Sequence, residues 1–175
     1  MRVVAGSLRG RRLLAPPGRD TRPTSDRARE AVFNALASLD VLRDAEVFDL
    51  FAGSGALGIE ALSRGASRCT FVEHGRSALL ALRSNLDALG LTSRSAVVPM
   101  EVDRFLARSP SAADLALVDP PYAFDAWAEL LAAVPAPFVV AESDRPVEAA
   151  PGWDLVRTKR YGATHVTFLR RTEGP

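Results

Sequence analysis

The chain has few of the side chains that build disulfides and zinc sites. Among 175 residues there is one cysteine, Cys69, and there are two histidines, His74 and His165. A single cysteine excludes an intramolecular disulfide and a cysteine-based zinc site, and two histidines do not fill a metal site alone. We therefore expect a metal-free protein from a reducing compartment, with a fold that rests on a hydrophobic core.

Long hydrophobic runs are also missing. No apolar stretch approaches the ~20 residues that span a bilayer, and residues 1–18 carry four arginines where a secretory signal would be apolar. A length of 175 residues with 47% hydrophobic side chains is typical of one globular domain. We expect a cytoplasmic monomer without membrane contact, formed by a single domain over residues 1–175.

Lysine is nearly absent, since 21 of the 22 basic residues are arginine. The net charge of +1 conceals an uneven distribution: residues 1–29 carry a net +6, residues 30–156 a net −9 and residues 157–175 a net +4. Two basic ends on an acidic body favour a polyanionic partner.

The first 40 residues are expected to form an N-terminal appendage. Apolar residues 3–5 and 13–15 flank a turn rich in glycine and arginine, which predicts a β-hairpin. Thr24, Ser25 or Asp26 can cap a following helix. The apolar residues of that helix recur at helical spacing, at Ala28, Val32, Leu36 and Leu39.

Residues 45–175 alternate between strand-like and helix-like segments, which predicts an α/β fold with a mostly parallel sheet covered by helices. The last two strands are close in sequence and predict an antiparallel hairpin. The predicted strands are Glu46–Phe51, Arg68–Glu73, Ser95–Met100, Asp114–Asp119, Phe138–Glu142, Trp153–Arg160 and Thr164–Arg170. The predicted helices follow the first glycine-rich turn to about Arg64 and cover Arg76–Leu89, Val102–Ala107 and Phe124–Val134.

A glycine-rich turn follows the first predicted strand. Gly53, Gly55 and Gly58 form a GxGxxG pattern at the start of a helix, where the backbone can approach a ligand and helix N–H groups can bind it. Glu73, at the end of the second strand, can accept hydrogen bonds from ribose hydroxyls. The pattern indicates a nucleoside cofactor, and NAD, FAD and S-adenosylmethionine all stay open.

Two further acids favour S-adenosylmethionine over NAD. A carboxylate at Asp49, near the tip of the first strand, would repel a pyrophosphate but can hold the cationic amino group of a methionine-like tail. Glu101, after the third strand, can accept from an adenine amino group, and the Val102 N–H can meet a ring nitrogen.

Asp119, Pro120, Pro121 and Tyr122 follow the fourth predicted strand, at the edge where a ligand lies in such sheets. The prolines remove two N–H donors and stiffen the chain. The Asp119 carboxylate and the Pro120 carbonyl can then hold the two hydrogens of a planar amino group. The Tyr122 ring can stack on a base, a contact worth ~1–3 kcal/mol in single-stranded recognition.

These motifs resemble those of class I S-adenosylmethionine-dependent methyltransferases that act on amino groups. More closely, the chain resembles the RsmD type, bacterial 16S rRNA guanine-N2 methyltransferases, through residues 9–11, 22–27, 29–30, 33–34, 51–58, 60–65, 85–86, 105–106 and 119–122. The resemblance implies a Rossmann-like sheet of seven strands with an antiparallel last strand. It also implies S-adenosylmethionine as cofactor and a guanine of 16S rRNA, free or in the assembling small subunit, as substrate.

The resemblance assigns roles to individual residues, although Gly75 stands where relatives commonly have Asp. Cofactor binding falls to Asp49, Phe51, Ala52, Gly53, Ser54, Gly55, Gly58, Glu73, Glu101 and Val102, and catalysis to Asp119, Pro120, Pro121 and Tyr122. We expect RNA contacts from the basic N-terminal segment, at Arg9, Arg11, Arg12, Arg22, Thr24 and Arg29.

Other activities stay open on the motifs alone. An adenine-N6 or cytosine methyltransferase shares the turn at Asp119, but a DNA enzyme normally adds a target-recognition domain, for which 175 residues leave no room. A protein-glutamine methyltransferase usually has Asn at this position. A nicotinamide-dependent oxidoreductase would leave residues 119–122 without a role, and an RNA-binding protein on a decayed enzyme scaffold would not need intact motifs.

Overall fold

Seven strands form one sheet in the order β3-β2-β1-β4-β5-β7-β6 in a computed structural model that describes residues 1–15 and 26–172. The strands are β1 Glu46–Leu50, β2 Arg68–Glu73, β3 Ser95–Pro99, β4 Leu115–Val118, β5 Phe138–Ser143, β6 Trp153–Tyr161 and β7 Thr164–Arg171. The helices are α1 Asp26–Ser38, α2 Ala56–Ser63, α3 Arg76–Ala88, α4 Val102–Leu106 and α5 Trp127–Ala133, with a 3-10 turn at Thr92–Arg94. None of the helices in the described ranges is long and apolar enough to cross a membrane.

The first five strands are parallel, and β7 inserts antiparallel between β5 and β6. This arrangement confirms the α/β prediction and the antiparallel last strand. Both faces of the sheet are covered, because parallel strands joined by helices bury their two faces. Phe33, Phe71 and Phe168 belong to the core on one face, beneath α1, α2 and α3, and Phe48 and Leu131 to the core beneath α4 and α5.

The centre of the sheet is the place where a ligand is expected. β1 and β4 are neighbours there, and the chain winds outward from this pair in opposite directions. Ligands of open parallel sheets bind at the carboxyl ends of strands at such a reversal. The turn after Leu50 and the loop after Val118 both leave the sheet at this edge.

The N-terminal hairpin is present, but it pairs through a single bridge between Arg2 and Arg12 instead of two strands. Its turn is closed by bonds from Val3 N to the Arg11 carbonyl and from Gly10 N to the Val3 carbonyl, both 2.9 Å. The hairpin forms few ladder bonds because its neighbouring N–H groups bind α2 instead.

The side chains of α2 that bind the hairpin are Glu60 and Ser63. Glu60 accepts from Val4 N at 2.8 Å and from Ala5 N at 3.0 Å, and Ser63 Oγ accepts from Leu8 N at 3.0 Å. Both α2 residues are buried. The appendage is therefore docked on the helix that follows the glycine-rich turn.

The last helix begins later than predicted, at Trp127 instead of Phe124. Phe124 N donates to the Pro121 carbonyl at 2.8 Å and closes a turn before the helix. The prediction counted Phe124 as a core-facing residue of the helix. In the structure its ring packs against Trp127 from the preceding turn, with the ring centroids 5.0 Å apart.

Candidate active site

The glycine-rich turn has one open side and one packed side. A Cβ at Gly53 would meet no atom within 4 Å, whereas a Cβ at Gly55 would lie 2.4 Å from Leu82 Cδ1. A Cβ at Gly58 would lie 2.4 Å from a ring atom of Phe71. Gly55 and Gly58 thus let α2 lie close to the sheet and α3, and Gly53 leaves backbone open to a ligand.

Phe51 enters this turn in the left-handed region, at a φ of 63°. A bulky side chain there is a strained conformation that costs about 1–3 kcal/mol and needs support from its surroundings. The support is aromatic: Phe51 and Phe124 meet edge to face with centroids 5.4 Å apart. This contact joins the turn after β1 to the loop after β4.

Glu73, at the end of β2, is buried and already holds the backbone of two loops. One carboxylate oxygen accepts from Gly53 N at 2.8 Å, and the other accepts from His74 N at 2.9 Å and Gly75 N at 2.6 Å. A carboxylate offers about four acceptor positions. One acceptor position is left for a ribose hydroxyl. To bind both hydroxyls, Glu73 would have to release one of these three backbone N–H groups.

Asp49 occupies a different place from the one expected. Its side chain is buried beneath α2 and accepts from Gly58 N at 2.8 Å. Burial, partly offset by that hydrogen bond, raises its pKa to about 8. The raised pKa favours the uncharged carboxyl near neutral pH, and this side chain holds the first turn of α2. Its role as counter-ion to a methionine amino group stays a prediction.

The predicted adenine-binding residues lie at the end of β3. Glu101 is half exposed, with its carboxylate 3.3 Å from Nδ1 of His74, which follows β2. Val102 is the first residue of α4, where backbone N–H groups precede the first intrahelical bond. His74 was expected to be a solvent-facing loop residue, and its exposed ring contacts Glu101.

The Asp119 loop lies directly beside the glycine-rich turn. Asp119 N is 3.5 Å from the Leu50 carbonyl, across the β1 and β4 pair. Pro120 is buried, and Tyr122 is 44% exposed. Among the described residues no donor binds the Pro120 carbonyl, which is the second acceptor that the sequence predicted.

Glu142 is a neighbour of Asp119 that the sequence did not reveal. It lies on β5 one residue beyond Ala141, the partner of Val118, and it is buried. Asp119 itself is accessible to solvent, although protein surrounds it on most sides. Desolvation, followed by the charges of Glu142 and Asp49, raises the pKa of Asp119 well above its usual range. In the sequence, the only sign of this neighbour was a glutamate near the end of the strand predicted to follow.

The expected RNA-binding residues separate into three groups. Arg9 and Arg12 are exposed, and Arg11 is exposed while its Nη2 donates to the Ala88 carbonyl at 2.8 Å. Arg29 is buried: Nη2 donates to the Arg2 carbonyl at 2.5 Å and Nε lies 3.8 Å from Glu60. The assignment of Arg29 to RNA is therefore wrong, because this side chain anchors the hairpin. Arg22 and Thr24 lie outside the described residues.

Taken together, the residues at this edge fit S-adenosylmethionine. The open backbone at Gly53 gives room for a ligand, and Glu73 keeps one acceptor position beside it. The exposed carboxylate of Glu101 and the N-terminal turn of α4 extend the same edge by one strand. Asp119 follows the strand on the other side of β1.

Comparisons with known proteins identify the same group. The sequence model of a family described as Conserved hypothetical protein 95 matches residues 1–170. The putative rRNA methyltransferase YlbH of Bacillus subtilis is 38% identical over 184 residues, which cover 98% of this chain and 99% of that protein. The ribosomal RNA small subunit methyltransferase D of Haemophilus influenzae is 32% identical over 177 residues, which cover 93% and 89%.

A solved structure extends the likeness to the fold. The putative methyltransferase yhhF from Escherichia coli superposes with a TM-score of 0.86 at 36% identity, over 98% of this chain and 97% of that one. Family and fold therefore agree over nearly the whole length. The chain belongs to the RsmD family of class I S-adenosylmethionine-dependent methyltransferases.

Proposed function

We propose that the protein methylates the exocyclic N2 amino group of a guanine in small-subunit ribosomal RNA. The observation that carries the proposal is the position of Asp119, whose backbone N lies 3.5 Å from the carbonyl of Leu50, the residue before the turn that begins the cofactor site. The names of the two relatives described above support ribosomal RNA as the substrate. The amino group follows from the two acceptors of the Asp119 loop.

The cofactor would be held by the residues along the carboxyl edge of the sheet. Glu73 would bind the ribose, Glu101 and Val102 the adenine, and residues 53–55 the methionine moiety. When bound, S-adenosylmethionine supplies an electrophilic methyl group. The protein contributes chiefly proximity and orientation, which can supply a large part of the rate.

The Asp119 loop would bind and orient the substrate amine. The Pro120 carbonyl accepts one hydrogen at any pH, and the Asp119 carboxyl accepts the other most strongly when it is ionised, because hydrogen bonds to a charged acceptor are the stronger ones. Because the pKa of Asp119 is raised, methyl transfer should gain rate with pH over a range above that of an ordinary aspartate. Tyr122 would stack on the base, which must be single-stranded or flipped out of its helix.

The N-terminal hairpin would supply phosphate contacts through Arg9 and Arg12. These contacts position RNA without reading its sequence. We also propose that the whole chain works as one domain, because the hairpin is docked on α2 through buried groups. We further propose that the protein is a monomer in the cytoplasm and acts on 16S rRNA or the assembling subunit.

The test is methyl transfer to ribosomal RNA from a strain that lacks the gene, followed by mass mapping of methylated nucleosides. We expect one N2-methylguanosine in 16S rRNA.

Asp119→Ala should lower the rate by about 100-fold or more, the cost of losing one well-placed hydrogen-bonding group, with near wild-type cofactor affinity. Asp125→Ala, a change at an exposed acid of the same loop, is the matched control. A methyl group on adenine or cytosine, or an Asp119→Ala rate near wild type, would contradict the proposal.

A further inference from the structure

Asn85 joins two parts of the molecule that the sequence places far apart. It lies on α3 and is 2% exposed. Its Oδ1 accepts from Leu14 N at 2.8 Å, and its Nδ2 donates to the Leu14 carbonyl and to the Ser54 carbonyl, both at 3.0 Å. The oxygen and both hydrogens of this buried amide are therefore in use.

The two partners of Asn85 belong to the two candidate binding sites. Ser54 lies in the glycine-rich turn between Gly53 and Gly55. Leu14 lies at the end of the hairpin that carries Arg9 and Arg12. A second contact on the same helix, from Arg11 Nη2 to the Ala88 carbonyl at 2.8 Å, keeps the hairpin beside α3.

A shift at one partner must change the bonds at the other. The amide is rigid and planar, so a movement of Leu14 that turns it also moves the donor that holds Ser54. Leaving a buried carbonyl without its donor costs about 1–3 kcal/mol. The position of the cofactor turn thus depends on whether the end of the hairpin is in place.

We propose that Asn85 is a positioning residue that couples RNA bound at the hairpin to S-adenosylmethionine bound at the glycine-rich turn. The RNA half of this inference rests on the proposed function. Coupling between two binding sites is reciprocal, and it typically changes affinity by about 5- to 150-fold. RNA should therefore tighten cofactor binding, and the cofactor should tighten RNA binding by the same factor.

The first experiment measures this factor with S-adenosylhomocysteine, the inert product of the cofactor, by calorimetry on the full chain with and without saturating unmodified 16S rRNA. We expect RNA to tighten binding in the wild type by about 10-fold. In Asn85→Ala the ratio should fall to about 1, the value for uncoupled sites. Ser84→Ala, at the exposed neighbour on α3, should keep the wild-type ratio. A variant that only loses stability would lower the melting temperature and leave the ratio unchanged.

The second experiment needs neither RNA nor a change at Asn85. Leu14→Pro removes the N–H that Asn85 accepts, at a residue whose side chain is exposed. We expect it to weaken S-adenosylhomocysteine binding several-fold in the absence of RNA. An unchanged affinity in Leu14→Pro, or a wild-type ratio in folded Asn85→Ala, would overturn the coupling. Failure of the wild type to bind 16S rRNA would instead overturn the proposed function, and the Leu14→Pro result would still decide the role of Asn85.

Discussion

Burial decides what each charged residue does. Asp49 and Arg29 were expected to meet a cofactor and RNA, and both are 1% exposed. Asp49 holds the first turn of α2, and Arg29 holds the hairpin. Because burial raises the pKa of Asp49, its charge is weak evidence against a pyrophosphate. The identification of S-adenosylmethionine rests on the family and on the Asp119 loop.

Asp49→Asn tests this role through the pH dependence of stability. In the folded protein the pKa of Asp49 is raised to about 8 from an ordinary 3.8. Between these values the folded state binds more protons than the unfolded state, so this contribution to stability is complete below about pH 4 and is lost as pH rises to about 8. The asparagine keeps a carbonyl oxygen for Gly58 N and has no proton to lose.

Urea unfolding of the cofactor-free protein at pH 5, 6, 7 and 8 provides the measurement. The wild type should lose more stability with rising pH than Asp49→Asn, by up to about 1.4 kcal/mol per pH unit for one proton. Comparing the two proteins cancels the contribution of groups that do not interact with Asp49. Parallel curves would show that Asp49 is ionised in the folded protein.

At the scale of elements, the hairpin is attached to α2 by hydrogen bonds more than by sheet pairing. Glu60 is fully buried and accepts from two hairpin N–H groups, while Arg64 Nε donates to it at 2.7 Å and Arg29 Nε lies 3.8 Å away. Without the Glu60 carboxylate, the two arginines and the two hairpin N–H groups would lose their acceptor inside the protein. The attachment should therefore depend strongly on this single glutamate.

Glu60→Ala should destabilise the protein by about 3–5 kcal/mol, the range for breaking a buried ion pair. It should also expose the hairpin to trypsin at its arginines before the core is cut. Denaturant unfolding and limited proteolysis measure the two effects. Glu129→Ala, at an exposed position of α5, is the control and should change neither. A hairpin that stays protected in Glu60→Ala would contradict this mode of attachment.

At the scale of the whole molecule, the sheet separates the two basic segments. The hairpin docks on α2, beside β1 and β2, whereas Arg157, Lys159 and Arg160 lie on β6 at the far edge. β6 is four inter-strand steps from β1, or roughly 20 Å at about 4.8 Å each. Asp119 follows β4, which lies between β1 and β6.

The hairpin arginines should therefore be testable independently of the basic residues of β6. The double substitution Arg9→Ala/Arg12→Ala should weaken RNA binding and reduce the slope of log affinity against log salt by roughly 1.5 for two lost phosphate contacts. Cofactor affinity without RNA should stay unchanged. Arg43→Ala/Arg68→Ala removes the same charge at exposed positions before β1 and at the start of β2. Equal salt slopes in the two variants would show that the hairpin does not bind phosphate.

Much of the fold and site was predictable because it depends on neighbours in the chain. Buried strands, the GxGxxG turn and the sequence of the Asp119 loop are local patterns, and parallel strands bring their carboxyl ends to one edge. The positions of Gly53, Glu73 and Asp119 at that edge follow from this rule. The late start of α5 and the single bridge of the hairpin could not be predicted from local patterns, since each depends on a contact with a different element.

The sequence by itself determined the α/β architecture, the edge that carries the site and the family. The tertiary structure alone decided which polar groups face the ligand and which hold the protein together. Asp49, Arg29 and Asn85 have side chains whose roles depend on partners up to 71 residues away, and no local pattern encodes such a distance. Burial also sets their charge and hydrogen bonding, because a polar group removed from water must find its partners within the protein.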